Sequence, residues 1–139
     1  MTDLTLAILK PDCVRRKLTG KVIDFIESKG FQIISMKKVK LDRAQAEAFY
    51  AIHKNKNFFN DLVLFMTSGP CIPMILQKNE AVTEFREIIG NTDPKNAKEG
   101  TLRRLYADNI QENAIHGSDS VENAKKEIAF FFPLIEIIS

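Results

Sequence analysis

Short apolar runs alternate with stretches of helical periodicity along the whole chain, and that alternation restricts the fold to one that mixes strands with helices. Residues 4–9 are an apolar run stopped by Lys10-Pro11-Asp12, which reads as a buried strand ending at the proline. A helix is predicted over 19–29, with Leu18, Val22, Phe25 and Ile26 on one face. Gly30 suits the left-handed position just past its end. Residues 31–40 read as a second strand, with Phe31, Ile33 and Val39 on one face and Ile34 and Met36 on the other. Asp42-Arg43-Ala44-Gln45 has the form of a capping box and opens a helix through about residue 52. A short helix over 61–68 closes at Gly69-Pro70. Residues 71–77 read as a third strand, in which Pro73 lacks a ladder donor and points to an edge or a bulge. Asn79 is the expected cap of a helix that runs to Ile89 and stops at Gly90; Val82, Phe85 and Ile89 form its buried stripe, with Arg86 on another face. Residues 91–112 hold no long periodic segment beyond a helical turn at 102–107, and such a loop in a small domain is commonly functional. A short strand over 114–116 and a helix over 121–132 follow. This order suits an α+β ferredoxin-like sandwich, a four-stranded antiparallel sheet with helices packed on it.

Composition narrows the class further. A length of 139 residues fits one domain, 1–139, able to bury an ordinary core. The 45% hydrophobic and 27% charged content is that of a soluble globular protein. A net charge of +2 is too small to argue for nucleic acid, although Lys37, Lys38 and Lys40 form a local basic patch. No apolar run approaches the roughly 18 residues of a membrane span, and the start of the chain lacks the form of a signal peptide. Cys13 and Cys71 stand alone without metal spacing, which points to free thiols in a reducing cytoplasm.

The chemistry concentrates in Asn113-Ala114-Ile115-His116-Gly117-Ser118-Asp119-Ser120. Val121, Ala124, Ile128 and Phe131 recur at helical spacing after it, Ser120 is placed to cap that helix, and Pro133 stops it. His116 therefore stands just ahead of a helix N-terminus, where free N–H groups and the dipole favour anions. A nucleophilic or acid–base histidine beside an anion site suits phosphoryl chemistry. A lone histidine at a turn is ordinarily a surface residue, so the rest of the chain must agree.

It does, through a resemblance. NAIHGSDS resembles the active-site signature of the nucleoside diphosphate kinases, whose histidine carries phosphate; TLAILKPD, ending in Lys10-Pro11-Asp12, resembles the family's opening motif. The likeness runs over nearly the whole chain and implies the same ferredoxin-like fold. It implies a γ-phosphate transfer from a nucleoside triphosphate to a nucleoside diphosphate, by ping-pong kinetics through a pros-phosphohistidine on His116. Lys10 and Asn113 would orient sugar and phosphates, while Arg86, Thr92 and Arg103 would clamp phosphates, for which the arginine fork is suited. Phe58 would stack on the base, a contact that does not choose between bases, with Ile110 covering the other side. Tyr50 would line the cleft, and Ser118 and Glu127 would orient His116. Mg²⁺ is implied, held through nucleotide phosphates rather than by direct protein ligands, as is a homo-oligomer, tetramer or hexamer. The tail ending Ile137-Ile138-Ser139 suggests the short bacterial type and an interface or core role for that apolar terminus. His53 reads as a surface residue. Three positions depart from the family pattern: Asn57 where proline is usual, Pro73 among aliphatics, and Arg104 in place of a small residue. An inactive scaffolding relative and a single-stranded nucleic-acid binder are the competing readings. Every carried-over position is present against the first, and the modest charge weighs against the second.

Overall fold

A computed structural model describes residues 3–137; Ile138 and Ser139 of the apolar terminus lie outside the described residues. The sheet is built around β1 (Asp3–Leu9), which pairs antiparallel with β3 (Ile72–Lys78) on one side and β4 (Ile115–Gly117) on the other. β2 (Gln32–Met36) pairs with β3, giving the order β2-β3-β1-β4 of the expected ferredoxin-like sandwich. Because both faces of β1 are covered, its apolar run is continuous rather than alternating: Leu6 to Leu9 are each fully buried. Side chains on successive residues go to opposite faces. Ala7 and Leu9 join a core with Val22 and Ile26 of α2 (Thr19–Ser28) and Phe85 and Ile89 of α5 (Ala81–Ile89). Leu6 and Ile8 join one with Ala46 of α3 (Arg43–Phe49), Met66 of α4 (Phe59–Met66) and Ile128 and Phe131 of α7 (Val121–Phe131). Each fully buried Leu or Ile contributes about 1.5–3 kcal/mol, so this central strand anchors both cores.

Local signals agree at several ends. Gln45 N–H donates to Asp42 Oδ1 at 2.8 Å while Asp42 N–H donates to Gln45 Oε1 at 2.9 Å, completing the capping box of α3. Ser120 Oγ accepts from Asn123 N–H at 3.0 Å and caps α7. Gly30 takes φ +89° past α2.

Elsewhere the structure corrects the expectation. Pro73 lies in an interior strand, not an edge: β3 has a partner on each side. Its carbonyl accepts from Lys37 N–H at 3.2 Å, just past the last β2 pair. The pair is in register with Val39 and Cys71, which exchange both backbone bonds at 2.9 and 2.8 Å, so the proline removes one bond, the return donation to the Lys37 carbonyl, from within the ladder. The irregularity is on the neighbouring strand, between Ile33 and Ser35. One extra residue reverses which face every later side chain takes. Val39 accordingly packs with Ile34 rather than with Phe31 and Ile33, and Met36 is half-exposed. β2 also stops at Met36, leaving a single Val39–Cys71 bridge where a longer strand was expected. Asn79 is not the cap of α5: Glu80 holds that position with φ +51°, and its N–H donates to Asp3 Oδ2 at 3.1 Å. α4 begins two residues earlier than expected, and Val121 is exposed rather than buried.

The sequence reading also lacked α1 (Pro11–Arg15), a single turn that begins on a proline suited to the first helical position. The loop at 91–112 carries a 3₁₀ turn, Pro94–Asn96, and α6 (Leu102–Tyr106), anchored by the fully buried Leu102. It returns through the Asp108 N–H bond to the Glu112 carbonyl at 2.9 Å.

Candidate active site

A cleft of about 740 Å³ opens at the end of the sheet where β1, β4, α5 and the 91–112 loop meet. Register places its groups. Ile8 pairs with His116 across β1 and β4, so Lys10 falls beside Ala114, whose carbonyl accepts the Lys10 N–H at 2.9 Å. The Lys10 ammonium is buried and donates to Asn113 Oδ1 at 2.9 Å. Burial, aided by the nearby Arg103 charge and opposed by Asp12, pulls its pKa down to about 8. Asn113 in turn donates from Nδ2 to the Thr92 carbonyl at 3.3 Å, tying the loop to the strand end.

Arg103 is buried beneath the cleft floor. Its Nη1 donates to the Gly90 carbonyl at 3.0 Å and its Nη2 to the Ile115 carbonyl at 2.9 Å; Nε has no partner. Burial, with Arg86 nearby, lowers its pKa to about 10. Gly90 can present that carbonyl because it lacks a side chain: at φ +87° a Cβ would meet Thr101 Oγ1 at 2.6 Å. Arg86 and Thr92 reach the same cleft from exposed positions at and beyond the end of α5. Three cations thus line a cleft to which, among the described residues, no carboxylate contributes, an arrangement that concentrates anions.

His116 lines the cleft on one side and meets Glu127 on the other, Nε2 to Oε1 at 2.8 Å. A carboxylate can only accept, so Nε2 carries a proton, and in the neutral ring the lone pair then lies on Nδ1. Glu127 is itself fixed: Ser118 Oγ–H donates to the same oxygen at 2.8 Å, and Ser118 Oγ accepts the Leu6 N–H of the central strand at 3.3 Å. Phe49 stands edge-on to the imidazole with centroids 5.6 Å apart. Gly117 follows because nothing larger fits: a Cβ would lie 2.9 Å from the Phe85 ring.

The remaining lining is apolar. Phe58 and Ile110 are both about half-exposed and present apolar surface to the cleft. Tyr50 is buried with an unpartnered hydroxyl, and burial pushes that phenol well above its usual pKa. All eleven expected site residues therefore gather here, nine lining the cleft and Ser118 and Glu127 standing behind His116.

His53 was missed. It lines the cleft with its ring centroid 5.5 Å from that of Phe58. Arg104 points elsewhere, donating to the Lys95 carbonyl at 3.3 Å, so this departure braces the loop rather than entering the cleft. Asn57 is exposed and outside the lining.

Comparison with known proteins agrees with this geometry. The family model for nucleoside diphosphate kinase matches residues 3–137. The nucleoside diphosphate kinase of Chlorobaculum tepidum is 58% identical over 136 residues, covering 98% of this chain and 97% of that protein. That of Salinibacter ruber is 53% identical over 138 residues, covering 99% and 97%. Among solved structures, the Aquifex aeolicus nucleoside diphosphate kinase superposes with a TM-score of 0.96 at 38% identity, covering 99% of this chain and all of that one. A halophilic nucleoside diphosphate kinase from Halobacterium salinarum, in complex with CDP, superposes with a TM-score of 0.95 at 35% identity, covering all of this chain and 93% of that one. The chain described here belongs to the nucleoside diphosphate kinase family and is a nucleotide phosphotransferase.

Proposed function

We propose that the γ-phosphate of a nucleoside triphosphate, typically ATP, passes to a nucleoside diphosphate through a phosphohistidine on His116, in two half-reactions at one site. The observation that carries this reading is the 2.8 Å bond from Nε2 to Glu127, which leaves Nδ1 as the nucleophile in a cationic cleft. In the first half, the Nδ1 lone pair attacks the γ-phosphorus and the bridging bond to the β-phosphate breaks. The departing diphosphate oxygen takes that electron pair, while Nε2 keeps its proton. Glu127 balances the charge that develops on the ring, and Ser118 holds Glu127 in place. Lys10, Arg86, Arg103 and Thr92 stabilise charge on the transferring group. In the second half, a terminal oxygen of the incoming diphosphate attacks the phosphohistidine and the same steps reverse, which gives ping-pong kinetics.

Because donor and acceptor occupy the cleft by turns, base binding rests on stacking against Phe58 with Ile110 over the opposite face. Asn113 and Lys10 orient the sugar and phosphates, and Tyr50 closes the inner wall. The CDP bound to the Halobacterium salinarum relative supports pyrimidine nucleotides as ligands of such a site. Mg²⁺ fits as a metal delivered with the nucleotide: the cleft offers cations and amides, and among the described residues no cluster of three His, Cys, Asp or Glu is placed to hold it. Bound through phosphate oxygens and water, it would neutralise phosphate charge during transfer.

A homo-oligomer, tetramer or hexamer, is part of the same reading. It is supported by Met36 on the outer strand and by Leu134 and Ile135, which are 86% and 90% exposed. Cytoplasmic residence is supported by two buried, unbridged cysteines. No helix among the described residues is long and apolar enough to cross a membrane.

Incubation with γ-labelled ATP and Mg²⁺ tests the reaction. Acid-labile, base-stable label, absent from His116→Ala and transferable to GDP, CDP or UDP, is the expected result. Folded protein that takes no label at neutral pH overturns it.

A further inference from the structure

Residues 10–12 and 113–115 close a two-sided clasp on one residue. The Ala114 carbonyl accepts the Lys10 N–H at 2.9 Å, and the Ala114 N–H donates to Asp12 Oδ2 at 3.0 Å. Ala114 itself sits at φ +71°, a conformation that a Cβ disfavours, at the centre of a turn closed by the Ile115 N–H bond to the Asn113 carbonyl at 2.8 Å and braced by the two contacts above. Asp12 is fully buried, makes no contribution to the cleft lining, and leaves Oδ1 without a partner. Burial holds its carboxyl above the usual carboxylate range. A desolvated, half-satisfied carboxylate is a poor choice for packing alone; it is held by the Ala114 N–H and by the charge of Lys10, whose ammonium bonds the same turn at Asn113.

What that turn controls lies on either side of it. Asn113, one residue before, receives the Lys10 ammonium and donates to the Thr92 carbonyl. Ile115, one residue after, receives Arg103 on its carbonyl and leads directly into His116. From these contacts we propose that Asp12 is a positioning residue for phosphoryl transfer: by holding the Ala114 N–H it sets the left-handed turn that aligns Asn113 with Lys10 and presents His116 to the cleft. This rests on the His116 reading above. Without the acceptor, Ala114 relaxes toward negative φ and swings its two neighbours apart.

Rapid-quench labelling with ATP and Mg²⁺ separates this role from a merely structural one, because a folding defect lowers the fraction of sites labelled while a positioning defect lowers the rate constant. In Asp12→Ala the rate constant is expected to fall about 10- to 100-fold, as for loss of a hydrogen bond to a charged group, with the labelled fraction of folded protein retained. Adding Ala114→Gly, which adopts positive φ without being held, recovers at least about a tenfold part of that loss. Asp12→Asn, whose amide oxygen still accepts from Ala114, stays within about fivefold of the wild type. An unchanged rate in Asp12→Ala, a loss confined to labelled fraction, no recovery with Ala114→Gly, or an Asp12→Asn as slow as Asp12→Ala each overturns the proposal. Should Asp12→Ala not fold, Asp12→Asn decides: a near-wild-type rate supports the acceptor role, and a rate about 50-fold down overturns it. Wild-type protein that takes no label overturns the His116 reading and this one with it; normal wild-type labelling with indifferent Asp12 variants overturns this one alone.

Discussion

Replacing Lys10 with methionine tests the electrostatics of the cleft at its most buried charge. In the free protein burial, reinforced by Arg103, lowers this ammonium from 10.5 to about 8. A lysine whose folded pKa lies below its unfolded value costs stability when protonated. That cost is complete below about pH 8 and is relieved as pH rises through the unfolded value near 10.5. At roughly 1.4 kcal/mol per pH unit, the gap amounts to about 3 kcal/mol at neutral pH. Lys10→Met, which carries no charge, is therefore expected to gain on the wild type at pH 7 and to lose about half of that advantage by pH 9.5. Loss of the 2.9 Å bond to Asn113 offsets the curves by about 1 kcal/mol without changing their slopes. Cys13 and Cys71, whose thiols burial raises to about 12 and about 11, titrate alike in both proteins and cancel in the difference. Urea unfolding across this pH range reads the stability difference directly. Under the proposed contact of Lys10 with phosphates, nucleotide binding supplies a second measure, because a phosphate favours the charged ammonium. At pH 8.5 the wild type is expected to take up about three-quarters of a proton with ADP that Lys10→Met does not, seen by calorimetry in buffers of unlike ionisation heat. Parallel stability curves together with equal proton uptake would refute the assignment.

Further outcomes follow from other contacts. Glu127→Ala removes the acceptor shared by His116 and Ser118 and is expected to slow phosphohistidine formation about 10- to 100-fold, read by rapid quench. Phe58→Ala removes the exposed ring from the cleft and weakens purine and pyrimidine nucleotides alike, by about 1–3 kcal/mol; an effect confined to one base in KM measurements would argue against stacking. Gly117→Ala drives a Cβ to 2.9 Å from Phe85 and costs about 1–3 kcal/mol in thermal or urea unfolding, with wild-type stability as the contrary result.

Much of the fold was legible because its signals are local. The Asp42 capping box, the Ser120 cap and the apolar run of β1 each state their structure within a few residues. The candidate site was anticipated through the family resemblance rather than through local periodicity, and each carried-over side chain stands in or behind the cleft. What escaped depends on partners distant in the chain. The irregularity between Ile33 and Ser35 exists only against β3, so alternation alone placed Val39 on the wrong face. Glu80 starts α5 because Asp3, far away in sequence, reaches its N–H. Pro73 sits inside the sheet at the loss of one bond to Lys37, a partner that lies far from it in the chain. α1 is too short for periodicity to register. His53 belongs to the cleft because of how the turn after α3 faces, a direction no pattern encodes.

The central position of β1 has a consequence for synthesis. A ribosome delivers this strand early, yet its partner β3 emerges roughly sixty residues later and β4 more than a hundred residues later. At about 5–20 residues per second, β1 waits about 3–13 s for its first neighbour. Until then an apolar strand with both edges open is exposed to chaperones and to other nascent chains. The strand bearing His116 and the helix bearing Glu127 come last, so a stalled chain holds the Lys10 cation before the histidine that lines the same cleft. The cleft is therefore complete only when translation has run nearly to its end.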